Sequence, residues 1–172
     1  TAAELSRQRE ERRRRGSLGG LVLDMRENPG GRLDQAGAVG DLFLRSGTLV
    51  VTEGEGNRLR QAFDADSGEA FENLPLVVLV DGGSASAAEI VAGALKYNDR
   101  AMLVGSTTFG KGTVQVMHEV GDGALKLTVA QYLIPGDLSI QGVGVVPDIE
   151  LVPTSIGRKN ILMGLTDYKR FM

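Results

Sequence analysis

DGGSASAAEI, at residues 81–90, directly follows the apolar run LVVLV at residues 76–80. An apolar run that ends in Asp-Gly-Gly is typical of a buried strand followed by a tight turn, and the helical spacing of the next apolar residues predicts a helix. Ser84 and Ser86 therefore lie where a strand gives way to a helix. Because the first turn of a helix leaves backbone N–H groups unpaired, a serine at this place lies beside donors that can hold an oxyanion.

Two interpretations of these serines are open from the residues alone. Ser86 and Glu89 have the spacing of a capping box, in which the serine accepts a hydrogen bond from the third N–H of the helix and the glutamate accepts one from the serine N–H. Most Ser-x-x-Glu sequences at helix starts are caps and nothing more. A nucleophilic serine is the second interpretation, and it needs support from elsewhere in the chain.

The composition limits the classes of protein to which the chain can belong. It has 172 residues, of which 42% are hydrophobic and 24% charged, as in an ordinary single globular domain. Its net charge of −3 supports neither nucleic acid nor an anionic membrane as a partner, and we expect no nucleic-acid partner. Cysteine is absent and His118 is the one histidine, which argues against thiolate and multi-histidine metal sites. We expect no metal and no organic cofactor. The chain begins at Thr1 rather than at a methionine, from which we expect a fragment of a longer protein.

Alternating strand and helix patterns predict an α/β fold. The patterns predict helices at 1–15, 33–44 and 86–97, strands at 21–25, 47–52, 76–80, 101–105 and 142–151, and a β-hairpin of 113–120 and 124–133. We also expect strand 21–25 to be buried on both faces, residues 53–73 to be an exposed excursion that is partly a hairpin, and 155–172 to hold a short helix. Strand-turn-helix units imply a largely parallel sheet covered by helices, with ligands at the carboxyl ends of the strands.

Lys111 is the residue around which three kinds of chemistry can be compared. The spacing Gly105-x-x-x-x-Gly110-Lys111 resembles a phosphate-binding P-loop, but Gly112 stands where magnesium needs Ser or Thr, and a strand-like pattern follows in place of a helix. In a Ser–Lys pair, partial burial disfavours the ammonium form, so that a lysine can take the proton of a serine. A serine–histidine pair would use His118, but no specific acid supports a triad.

Four motifs, taken together, resemble the C-terminal processing peptidases, which are also called tail-specific or carboxyl-terminal proteases. They are LDMRENPGG at 23–31, GGSASAAEI at 82–90, FGKGTVQ at 109–115 and SIQGVGVVPDI at 139–149. They occur in the family's order and span roughly residues 20–152, which makes the resemblance far more specific than any single motif.

The resemblance implies a role for each matching residue. Ser86 would be the nucleophile, Lys111 the general base, and Gln115 the residue that orients the lysine by hydrogen bonding. The backbone N–H of Ala87, with one from the Gly30-Gly31 turn, would form the oxyanion hole. The fold would be an α/β core of the ClpP/crotonase kind, with a β-hairpin region towards the C-terminus.

The same resemblance implies a domain organisation and a function. Residues 1–152 would be a serine protease catalytic core, without the PDZ domain that family members usually carry, and residues 153–172 a C-terminal tail. The protein would be a serine endopeptidase that recognises protein or peptide substrates by their apolar C-termini. It would be located in the periplasm or cell envelope, where peripheral association with the envelope is possible. The alternatives are a catalytically silent homologue that binds peptides as a scaffold and, more distantly, a P-loop-like nucleotide binder.

Overall fold

The fold contains three helices and nine strands within residues 2–14, 16, 18–54, 60–66, 71, 74–152 and 154, which are the residues that the computed structural model describes. In chain order they are α1 (Ala2–Arg13), β1 (Leu21–Asp24), α2 (Leu33–Asp41), β2 (Thr48–Gly54), β3 (Arg60–Asp64), β4 (Leu76–Val80), α3 (Ala87–Tyr97), β5 (Met102–Gly105), β6 (Thr113–Val120), β7 (Gly123–Ile134), β8 (Leu138–Ser139) and β9 (Ile149–Glu150). No helix among these residues is long and apolar enough to cross a membrane.

A four-stranded parallel sheet carries the strand-turn-helix units. Its strand order is β1-β4-β5-β9, and every neighbouring pair runs parallel. Leu23 pairs with Val78, and Val78 with Leu103, so that the carboxyl ends of β1, β4 and β5 meet at one edge of the sheet. The predicted α/β fold with a parallel sheet is confirmed, and the turns after β1 and β4 lie at that edge as expected.

A second sheet is antiparallel and larger than the predicted hairpin. Its strand order is β3-β2-β7-β6, with β8 paired to β7. The hairpin of β6 and β7 has the predicted position. Strand β3 lies in the predicted excursion and pairs with β2, so the partial hairpin expected there is present. Pairing of β2 with β7 joins the two hairpins into one sheet, which the sequence patterns did not reveal.

Helix α3 lies in the core between the two sheets. Every residue from Ala87 to Leu95 is buried, and this part of the helix is accordingly apolar on all sides apart from Glu89. It contacts β5 of the parallel sheet and also β2 and β7 of the antiparallel sheet. At Gly93 a Cβ atom would lie 2.7 Å from the Ile134 side chain on β7, so the helix needs a glycine to approach this strand.

Two predictions about strands need correction. Strand β1 is not buried on both faces, because burial alternates along it and Val22 is 65% exposed. The predicted strand at 142–151 is reduced to β9, because Gly142 and Gly144 have φ values of +76° and +69° and the chain turns there instead of extending. The predicted helix within 155–172 lies outside the described residues.

Candidate active site

The turn between β4 and α3 treats its two serines differently. Ser84 is completely buried, and its Oγ donates a hydrogen bond to the Met25 carbonyl at 2.8 Å. Ser86 is half-buried and is the N-cap residue of α3, with φ +56° and ψ −117°. A residue with a Cβ at positive φ carries roughly 1–2 kcal/mol of steric strain. Ser84 therefore holds the turn in place, while Ser86 is presented at the surface in a strained conformation.

The glycine turn after β1 lies directly against Ser86. The Ala85 N–H donates to the Asn28 carbonyl at 2.9 Å, which joins the two turns. Gly30 has φ +93°, and a Cβ atom there would lie 2.5 Å from the Ala85 carbonyl oxygen and 2.8 Å from the Ala87 nitrogen. The two sequence motifs are thus brought together, and only a glycine fits at residue 30.

The backbone N–H groups near Ser86 differ in whether they already have a hydrogen-bond acceptor. The Gly30 N–H donates to Asn28 Oδ1 at 3.0 Å. The N–H groups of Ala87 and Gly31 have no hydrogen-bond partner among the described residues. Of the two glycines predicted for an oxyanion hole, Gly31 is therefore the one whose N–H is available in this structure, beside that of Ala87.

Asp81 connects the two turns through its side chain. Its Oδ1 accepts hydrogen bonds from the N–H groups of Glu27 and Gly83, both at 2.9 Å. Burial alone would raise the pKa of Asp81, but these backbone donors and the Ser84 hydroxyl outweigh it and hold the pKa below its usual value. The ionised carboxylate is thus a stabilising link between the segment that follows β1 and the segment that follows β4.

The lysine loop, residues 106–112, is held from two sides. The Gly110 and Lys111 N–H groups donate to the Glu89 carboxylate of α3, at 2.7 and 2.8 Å. On the other side, the Gly112 N–H donates to Gln141 Oε1 at 2.8 Å, and the Gly142 N–H donates to the Gly110 carbonyl at 2.9 Å. The third and fourth motifs of the sequence are therefore parts of one substructure that contacts the start of α3.

The side chains of Lys111 and Gln115 form no hydrogen bond with Ser86 in this structure. Both side chains are exposed, and no hydrogen bond or ion pair of the Lys111 ammonium group occurs among the described residues. Gln115 Nε2 donates to Thr128 Oγ1 of the neighbouring strand at 3.3 Å. The backbone of the lysine loop is thus placed at the serine turn, which is the turn between β4 and α3 at residues 81–86. The predicted Ser–Lys–Gln hydrogen bonds are not formed.

The two other candidate chemistries lack the geometry they need. His118 is exposed in the middle of the β6–β7 hairpin, opposite Leu125. The Gly110 and Lys111 N–H groups, which a P-loop would offer to phosphate, are already bound to Glu89, and strand β6 rather than a helix follows. Within the described part of the chain, no group of three or more His, Asp or Glu residues could hold a metal ion.

A cleft of about 420 Å³ opens beside the two turns. Its wall includes the backbone of Gly31 and Ala87 and the side chains of Leu23, Met25 and Val91. Asp24 lies at its rim, where the hydrogen bonds from Arg26 lower the Asp24 pKa to about 2. The cleft is therefore mainly apolar and is next to the unpaired backbone donors, which suits an uncharged side chain of a bound polypeptide.

The sequence does not predict the contacts that two residues of this region, Glu89 and Gln141, make in the structure. The spacing of Glu89 predicts half of a capping box, and its hydrogen bond from the Ser86 N–H at 2.8 Å fits that prediction, but the spacing does not predict its bonds to the lysine loop. For Gln141 the sequence indicates only that it belongs to a motif. The sequence signal for the additional contacts of Glu89 is a carboxylate within the otherwise apolar run of α3, since a buried charge needs several partners.

A serine held at positive φ between a strand and a helix is the arrangement of a nucleophile elbow, and it places this fold among those that serine hydrolases use. The chain belongs to peptidase family S41, whose family model matches residues 1–151. Carboxy-terminal-processing protease of Bartonella bacilliformis is 51% identical over 133 residues, which are 77% of this chain and 31% of that protein. Carboxyl-terminal-processing protease of Synechocystis sp. is 46% identical over 130 residues, 75% of this chain and 30% of that protein.

Solved structures give the same relationship. The photosystem II D1 C-terminal processing protease superposes with a TM-score of 0.81 at 35% identity, covering 91% of this chain and 40% of that one. A protein of Bacteroides fragilis described as a putative S41 protease shares the fold, with a TM-score of 0.69 at 21% identity over 99% of this chain and 49% of that one. The chain thus spans about a third of the length of the curated relatives it matches.

Proposed function

We propose that this chain is the catalytic part of a serine endopeptidase of the C-terminal processing type. The observation that carries the proposal is Ser86, strained at the start of α3 beside the unpaired N–H groups of Ala87 and Gly31. Membership of family S41 and the names of the relatives support it. Residues 1–152 would form the catalytic unit, in keeping with the residues that the family model matches.

The proposed reaction proceeds through a covalent ester on Ser86. Lys111, in its neutral form, takes the proton from the Ser86 hydroxyl as the oxygen attacks the scissile carbonyl carbon. The N–H groups of Ala87 and Gly31 hold the oxyanion of the tetrahedral intermediate. When the carbon–nitrogen bond breaks, Lys111 gives its proton to the leaving amine, and water then hydrolyses the ester by the reverse proton movements.

Formation of this pair requires a side-chain movement of Lys111. The backbone of residue 111 is already fixed by Glu89, so a rotation of its exposed side chain is the change needed for Nζ to approach Ser86. Gln115, which now contacts Thr128, would turn to accept or donate at the lysine and orient it. The structure described here would then be a resting arrangement that substrate binding converts into the active one.

The substrates would be proteins with apolar C-terminal tails, and the protein would act in the bacterial periplasm or cell envelope. The mainly apolar cleft beside Gly31 and Ala87 supports an apolar side chain next to the scissile bond. No metal or organic cofactor takes part in the proposed reaction. A peptide-binding scaffold without catalysis is the second candidate, and the exposed, unpartnered Lys111 side chain is the observation that favours it.

The proposal is tested by cleavage of an unfolded protein with an apolar free C-terminus, with the fragments read by intact mass. The complete natural polypeptide would be compared with its Ser86→Ala, Lys111→Ala and His118→Ala variants. We expect activity to be lost in the first two and kept in the third. A Ser86→Ala variant that still cleaves would exclude the serine mechanism. A wild-type protein that binds the substrate protein but does not cleave it would favour the scaffold.

A further inference from the structure

Glu89 is a completely buried carboxylate that joins the serine turn to the lysine loop. Its Oε2 accepts hydrogen bonds from the N–H groups of both Ser86 and Lys111, each at 2.8 Å. Its Oε1 accepts from the Thr108 hydroxyl at 2.6 Å and from the Gly110 N–H at 2.7 Å. A single oxygen atom is thus bonded to the backbones of the two residues proposed as nucleophile and base.

This set of bonds exceeds what a helix cap requires. A cap needs only the bond from the Ser86 N–H, and a carboxylate at the first turn of a helix is usually exposed to water. Here three of the four bonds go to the lysine loop, and all four partners are donors. The site is therefore built for a carboxylate, because an amide group would turn an N–H towards at least one of these N–H groups.

We propose that Glu89 is a positioning residue for catalysis, which fixes the distance between the Ser86 and Lys111 backbones so that the lysine side chain can reach the serine hydroxyl. The inference rests on the proposed Ser–Lys function and adds to it a residue that does not touch the substrate. A misplacement of about 1 Å between reacting groups can cost on the order of 100-fold in rate. Loss of Glu89 should thus lower kcat and leave the apolar cleft, and with it KM, nearly unchanged.

The decisive variant is Glu89→Gln, which keeps the size of the side chain and replaces one acceptor oxygen by a donor. In the complete natural polypeptide we expect kcat to fall at least about 100-fold, with KM within about 3-fold of wild type. Gly93→Ala, on the same helix but facing Ile134 away from the serine, is the control for lost stability. Each variant is assayed well below its own Tm, where Gly93→Ala should retain kcat within about 3-fold.

A double-variant cycle separates positioning from mere folding support. If Glu89 acts through Lys111, adding Glu89→Gln does not further lower the weak residual rate of Lys111→Ala, measured at high enzyme concentration against the Ser86→Ala background. Additive losses in the cycle, or a kcat loss in Glu89→Gln no larger than that of Gly93→Ala, would overturn the inference. Should Glu89→Gln not fold, Glu89→Asp keeps the carboxylate on a shorter side chain, and a kcat equal to wild type in this variant would overturn it as well.

The controls also separate this inference from the proposed function. Cleavage by wild type with loss in Ser86→Ala establishes the serine protease, whatever Glu89 does. If wild type and Ser86→Ala cleave equally, the proposed function itself has failed. If the serine is essential and Glu89→Gln behaves like the stability control, only the positioning role of Glu89 is wrong.

Discussion

Ser86 has a φ of +56° and a ψ of −117°, a conformation that side chains with a Cβ disfavour. The strain belongs to the backbone rather than to the hydroxyl, so replacing the hydroxyl alone does not relieve it. We expect Ser86→Gly to be more stable than Ser86→Ala by about 1 kcal/mol, after the larger entropy loss of glycine on folding is included. Urea unfolding of both variants measures this difference, and equal midpoints would show that the turn carries no strain.

Gly30 and Gly31 are neighbours with opposite tolerance to a side chain. A Cβ at Gly30 would meet the Ala85 carbonyl oxygen at 2.5 Å and the residue has φ +93°, whereas no atom lies within 4 Å of a Cβ built at Gly31. We expect Gly30→Ala to lower the free energy of unfolding by about 2 kcal/mol or more, and Gly31→Ala to change it by less than about 1 kcal/mol. Denaturant titration of the pair checks this, and similar losses in both would contradict it.

The sequence supplied candidate residues for the site, but not the contacts that these residues make. The family resemblance indicated Ser86 rather than Ser84, and the buried hydrogen bond of Ser84 to Met25 is compatible with that choice. Spacing could not reveal that Asn28 accepts the Gly30 N–H, or that Gln115 donates to Thr128 instead of contacting the lysine. Such details depend on side-chain rotamers and on close tertiary contacts, which periodicity does not encode. The roles of Ser86, Lys111 and Gln115 remain proposals that kinetics must test.

Helix α3 offers a test of packing between the two sheets. Gly93 faces Ile134 so closely that a Cβ would lie 2.7 Å from its side chain, while Gly37 of α2 has open space around it. Gly93→Ala should destabilise the protein by about 1–3 kcal/mol through overpacking. Gly37→Ala should stabilise it by up to about 1 kcal/mol, because alanine favours the helix. Thermal unfolding compares the two, and a stabilised Gly93→Ala would show that Ile134 moves aside freely.

The elements of the chain were predictable where local pattern and burial agree. Strands β4 and β5 and helix α3 have nearly the predicted bounds, because both their spacing and their turn residues point the same way. The error at β1 arose because a run of three apolar residues does not tell how many faces of the strand are covered, and Val22 is in fact exposed. At 142–151 the β-branched residues favour a strand, but the glycines with positive φ turn the chain instead.

The whole molecule should lose stability in acid through carboxylates that its fold holds ionised. Burial raises the pKa of Asp81 and Asp148, but hydrogen bonds lower it more, from backbone donors at Asp81 and from Lys96 and the Leu103 N–H at Asp148. A depressed folded-state pKa gives stability that is complete above the unfolded pKa, about 3.9 for Asp, and that is lost as the pH falls through the folded value.

The Asp81→Asn variant tests whether the ionised Asp81 contributes stability that is lost as the pH falls. We expect wild type to exceed it in free energy of unfolding by about 1–3 kcal/mol at pH 7, because a neutral amide oxygen is a weaker acceptor for these backbone donors than the charged carboxylate. The gap should narrow steadily below about pH 4, as the wild-type carboxylate becomes protonated. Urea midpoints measured between pH 7 and pH 3 give the gap, and a gap that is constant with pH would exclude a role for the charge of Asp81.

The turn at residues 140–145 has a consequence for the timing of activity during synthesis. A nascent chain that has left the ribosome as far as Lys111 already contains the serine and the lysine. It lacks Gln141 and Gly142, whose bonds to Gly112 and Gly110 hold the lysine loop, and it lacks Val145, which bonds to Thr108. Because contacts between distant segments form after local ones, the site is completed only once this late segment has emerged. Under the proposed function, a half-made polypeptide would therefore lack the assembled site.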